Sequence, residues 1–112
     1  MASIQEKQLG QLRPANTTAA SLYSPASGVT TIIKAIIVCN TSGSAATFRI
    51  FLDDDGTTYN QTTALFYDVA LAADTTIQID TYYAMNDNSG NLAVRTNTNN
   101  AITFSCFGAE IS

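Results

Sequence analysis

The chain has 112 residues, of which 46% are hydrophobic and only 12% charged, with a formal net charge of -4 and no histidine or tryptophan. That length is about one domain, able to bury roughly 65% of the surface its unfolded chain exposes. Without histidine, Ser-His-Asp and Cys-His catalysis and most zinc sites are excluded, and the cations Lys7, Arg13, Lys34, Arg49 and Arg95 stand singly, so no clustered surface for nucleic-acid phosphates is expected.

Residues 1–20 carry no sustained period and read as an N-terminal arm and loop, with Leu9 and Leu12 spaced as anchors before Pro14-Ala15-Asn16-Thr17-Thr18. The opening residues have neither a basic region nor an apolar stretch of the kind an export signal needs, and no run of 18 apolar residues occurs. No membrane segment is expected.

From 21 to 112 short alternating runs are separated by turn signals about every ten residues, which predicts a single antiparallel β-sandwich, jelly-roll or Ig-like, of seven or eight strands. The expected strands are 21–24, 30–40, 46–53, 62–71, 75–81, 91–96 and 101–111. Pro25 to Gly28 cannot continue a central strand, and Asp53-Asp54-Asp55-Gly56 has hairpin chemistry. Between 61 and 72 a helical face of Leu65, Val69 and Ala72 competes with alternation, and the strand-favouring Phe66, Tyr67 and Val69 decide for a strand.

The run 30–40 is apolar on both faces. Strict alternation puts Ile33, Ala35, Ile37 and Cys39 on one side and Ile32, Ile36 and Val38 on the other with Lys34. Parity then makes Ile33, Ile37, Phe48, Ile50, Leu52, Leu65, Val69, Ile77, Ile79, Leu92, Val94, Ile102 and Phe104 inward. Ile32, Ile36, Val38, Phe51 and Phe107 are left outward. A patch of that size on a charge-poor surface predicts an interface, with Leu9 and Leu12 of the arm as further anchors. Cys39 and Cys106 are both expected inward, reduced and buried.

Catalytic, cofactor and metal sites are not expected. Asp53 to Asp55 lacks the alternate-position spacing and distal Glu of a calcium loop, and reads as a solvated hairpin. Asp68, Asp74 and Asp80 offer no paired carboxylates at a recognisable spacing. Tyr82-Tyr83 beside Asn86-Asp87-Asn88 is the best local candidate for a sugar platform, but an aromatic pair at a strand end is more often packing.

Several features together resemble a family of small tailed-bacteriophage virion proteins. They are Leu9-Gly10-Gln11-Leu12, the turn from Leu22-Tyr23 to Gly28, Val38-Cys39-Asn40 before a small-residue turn, Phe48-Arg49-Ile50, Tyr67-Asp68-Val69 and Phe107-Gly108-Ala109-Glu110-Ile111. The resemblance runs over nearly the whole chain and implies a non-enzymatic β-sandwich in the particle, assembled in the host cytoplasm. Two roles are open. One is a capsid decoration or cement protein, a homo-oligomer with a trimer favoured, that bridges major capsid protein subunits. The other is a tail, collar or fibre-associated module whose loops touch host glycans.

Overall fold

The β-branched run from Thr30 to Asn40 forms the longest strand of the protein, in a computed structural model that describes residues 3–112. Eight strands follow in chain order: β1 (Ile4–Leu12), β2 (Ala20–Tyr23), β3 (Thr30–Asn40), β4 (Ala46–Asp53), β5 (Ala64–Leu71), β6 (Thr76–Met85), β7 (Asn91–Thr96) and β8 (Ile102–Ile111). The competing helix between 61 and 72 does not form, and β6 runs to Met85, four residues beyond the expected end at 81.

The strands make two four-stranded antiparallel sheets, ordered β1-β8-β3-β6 and β2-β7-β4-β5. Only β4 and β5 are consecutive strands that pair with each other; the other connections cross between the sheets. Eight strands wound as two Greek keys are a jelly roll, and that order decides against the Ig-like alternative.

The expected arm is an edge strand. Residues 4–12 pair along β8 from Ile4–Ile111 to Leu12–Phe104, with a bulge at Leu9. Leu9 and Leu12 are partly buried and pack on the protein's own core. Residues 1 and 2, where the expected arm begins, lie outside the described residues.

The core is built between the sheets. Ile33, Ile36, Val38, Ile102, Phe104 and Cys106 face Phe48, Ile50, Leu92 and Val94, all essentially free of solvent. Phe48 and Phe104 meet edge to face with centroids 6.1 Å apart, a favoured aromatic geometry that joins the two layers.

One irregularity overturns the expected parity of β3. Between Ile33 and Ala35 the register shifts against both β8 and β6, a bulge at Lys34. A bulge places two residues opposite one, so alternation changes phase across it. Ile33 stays inside, but beyond the bulge Ile36 and Val38 are the inward residues, both 0% exposed, whereas Ile37 and Cys39 turn outward. The outward placement of Ile36 and Val38 is therefore corrected, and with it the inward placement of Ile37 and Cys39. Leu65 is likewise outside rather than inside, because β5 shifts register around it and again at Asp68, whose φ is 52°.

Gly108 makes the β3 bulge possible. A methyl group on its α-carbon would overlap the Ile32 carbonyl oxygen, so only hydrogen fits where the bulged strand approaches.

Candidate interaction surface

The bulge decides what the outer face of the β1-β8-β3-β6 sheet presents. Residues paired across an antiparallel ladder point to the same side. The rows are Ile4–Ile111–Thr30, Glu6–Ala109–Ile32–Ala84, Gln8–Phe107–Ala35–Asp80, Gln11–Ser105–Ile37–Gln78 and, past the end of β1, Thr103–Cys39–Thr76. Apolar groups dominate the two central strands, with Ile32, Ala35, Ile37 and Cys39 on β3 and Ile111 and Phe107 on either side of the buried Ala109 on β8, while Thr30, Ser105 and Thr103 complete them. Gln8, Gln11, Gln78, Asp80 and Thr76 occupy the flanking strands. Tyr82 and Ile4, 71% and 69% exposed, extend the apolar surface at its margins.

One charge pair on this face is neutralised within the chain. Lys34 Nζ donates to Glu6 Oε1 across β8, which holds the Glu6 carboxyl below its usual range. This pair, with Lys7, Gln8, Phe107 and Gly108, lines a shallow groove of about 280 Å³. Asp80 is the one further charge among the outward rows, and it accepts a 3.0 Å hydrogen bond from Gln78 Nε2.

Of the residues expected at an interface, Ile32 and Phe107 lie on this face. Phe51 points to the outside of the other sheet but is only 1% exposed, because the β4–β5 connection folds back and stacks Tyr59 on it at 6.1 Å. Asp53 orders that connection. Its carboxylate accepts hydrogen bonds from the backbone N–H of Thr58 at 2.8 Å and of Asp55 at 3.2 Å, which hold its pKa down. Phe51 is thus a buried residue under its own loop, not an interface group. Sequence parity missed Ile37 and Cys39, and only the phase change at Lys34 reveals them.

The opposite face, on β2-β7-β4-β5, is mixed, with Leu65 and Tyr67 exposed on β5 beside charged side chains. Arg49 forks onto Asp68 with bonds of 2.6 and 3.1 Å and lies 3.9 Å over the Tyr67 ring. Arg95 donates to the Thr17 carbonyl at 2.8 Å. Its cations are thus engaged within the chain.

Neither cysteine is in a disulfide. Cys106 is fully buried, and burial pushes its thiol up to about 12. Cys39 is half-buried on the outer face. Among the described residues no three His, Cys, Asp or Glu side chains are grouped so as to hold a metal ion, and no helix is long and apolar enough to cross a membrane.

The fold class is a single eight-stranded jelly roll. No protein-family profile and no curated protein matches the sequence. Among solved structures the chain is similar to one in the T13 particle of infectious bursal disease virus, at 10% identity and a TM-score of 0.54, covering 98% of this chain and 30% of that one. It is also similar to one in the Gx strain of the same virus, at 13% identity and a TM-score of 0.50, covering 99% and 32%. At such identities the likeness is one of fold, and this chain spans about a third of the length of those it matches.

Proposed function

We propose that this protein is a structural component of a virus particle that works by adhesion. The carrying observation is the outer face of the β1-β8-β3-β6 sheet, where Ile32, Ala35, Ile37 and Cys39 of β3 and Phe107 and Ile111 of β8 form an apolar centre with polar flanks and no uncompensated cation. An apolar centre with a polar rim and few charges is the anatomy of a protein interface. The solved chains of similar fold come from viral particles, which supports the reading by analogy of fold.

Within that class, the adhesive face suits a decoration or cement protein on the capsid, with a tail, collar or fibre-associated module as the alternative. Its chemistry is burial of area at a junction between subunits, with no bond made or broken. The band on the outer face, rather than a free N-terminal arm, is the adhesive element. Quantitative mass spectrometry of purified particles tests this. Hundreds of copies per particle are expected for a shell protein. A few to a few tens would move it to the tail or collar, and absence from the particle would sink the virion reading.

A further inference from the structure

We propose that the apolar outer face of the β1-β8-β3-β6 sheet is closed by the same face of a second copy of this chain, packed about a two-fold axis that runs along the strands. The proposal rests on the reading of that face as an assembly surface, and names its occupant.

Size is the first argument. Four strands about 4.8 Å apart, each contributing about nine residues of roughly 3.3 Å rise, give a footprint near 600 Å² in projection. Side-chain relief raises the accessible area toward the ~800 Å² per partner of a standard interface. The face is a nearly whole sheet, and sheet faces pack on one another about 10 Å apart with interdigitated side chains.

Complementarity is the second. With the axis along the strands, β8 of one copy lies over β3 of the other, so Phe107 meets Ala35 of the second copy, Ile32 meets Ala109 and Ile37 meets Ser105, and the centre excludes water. The flanks exchange: β1 of each copy lies over β6 of its mate. Gln8 and Asp80 occupy one row of the face, and Gln11 and Gln78 the next. The exchange therefore sets Gln8 amide donors beside the Asp80 carboxylate of the second copy, and Gln11 beside Gln78. An axis across the strands would stack β6 on β6 and bring two Asp80 carboxylates together without a cation. The Lys34–Glu6 pair is neutral within each copy and adds no net charge to the contact. An isologous contact of this kind closes as a dimer, in place of the trimer expected from the family resemblance.

Cys39 is a built-in reporter, since it sits at the end of the band, while Cys106 is shielded in the core. The test combines the mass of the purified protein by light scattering with the rate of native thiol labelling over a concentration series. Twice the 11.9 kDa chain mass is expected, with Cys39 labelling slowing roughly tenfold or more from low to high micromolar protein. Phe107→Glu and Ile37→Asp, each checked for folding by continued protection of Cys106, should give monomers whose Cys39 labels fast at every concentration. A wild-type monomer with concentration-independent labelling overturns the proposal. So does a trimer, or a dimer that both folded variants leave intact. Should either variant unfold, the wild-type mass and labelling series decides alone. A dimer found in a protein absent from virus particles would sink the virion reading and leave this one standing.

Discussion

The hydroxyl of Tyr23 on β2 donates a 2.6 Å hydrogen bond to Glu110 Oε2 on β8 and so ties one sheet to the other. Lys7 Nζ on β1 holds the other carboxylate oxygen at 2.7 Å, and Thr31 Oγ1 on β3 lies 2.7 Å from the Tyr23 oxygen. Four strands meet at this clamp. Bonds from Lys7 and Tyr23 keep the Glu110 carboxyl below its usual range, whereas burial and then the Glu110 bond push Tyr23 up from 10 to about 12.

Tyr23→Phe removes the clamp and leaves the ring. The expected loss is about 1–2 kcal/mol, the scale of a hydrogen bond to a charged group in a half-buried site, and it should lower Tm by roughly 5 °C or more. The pH profile identifies the mechanism. Because the folded pKa of Tyr23 is raised, its contribution is complete below pH 10 and is lost as pH rises through about 12. Tyr23→Phe should flatten that alkaline decline. For Glu110 the sign reverses: its folded pKa is lowered, so its contribution is present above the ordinary carboxylate range and is lost as pH falls through the lowered value. An unchanged Tm and an unchanged alkaline limb in Tyr23→Phe would show that the clamp does not matter.

Gly108→Ala should be among the most damaging single changes, because its methyl group meets backbone that cannot swing aside. The penalty expected is several kcal/mol, at the level of severe core strain. Gly43→Ala is the control, since nothing lies within 4 Å of its added methyl group. Chemical denaturation of both variants checks this, and equal stabilities would refute the role given to the bulge.

Deleting residues 2–13 should expose β8 and remove Leu9 and Leu12 from the core. Burial of two half-covered leucines is worth about 2 kcal/mol, and lost strand pairing adds to it. Cys106, which Gly10 covers from β1, should then label in the native state. A truncated protein with full thermal stability and a protected Cys106 would restore the free arm suggested by sequence.

Asp53→Ala should loosen the β4–β5 connection and lift Tyr59 from Phe51, while the sheets stay intact. Limited proteolysis is expected to cut faster between 54 and 63, with Asp53→Asn intermediate because it keeps one acceptor oxygen. The Asp53 pKa is lowered by the Thr58 and Asp55 N–H groups. Loop order is therefore present above the ordinary carboxylate range and is lost as pH falls through the lowered pKa. Wild-type cleavage rates in Asp53→Ala would remove the ordering role.

Local signals determined the all-β class and most of the strands. The runs 30–40, 46–53 and 91–96 form as alternation and turn residues imply, and Phe48, Ile50, Leu92, Val94, Ile102 and Phe104 are buried as parity requires. Those properties live within a few residues of chain, where side-chain period and Pro, Gly and Asp chemistry act directly. Tertiary structure alone decided the rest. Nothing near residues 4–12 announces a strand, because its partner β8 lies about a hundred residues away. Turn chemistry at Pro25–Gly28 is the same whether the next strand pairs beside the last or crosses to the other sheet, so the jelly-roll order had to come from packing. The bulge at Lys34 is a backbone event shaped by Gly108 on a distant strand. By shifting the phase one residue, it moved Ile36 and Val38 into the core and set Ile37 and Cys39 on the outer face of the β1-β8-β3-β6 sheet.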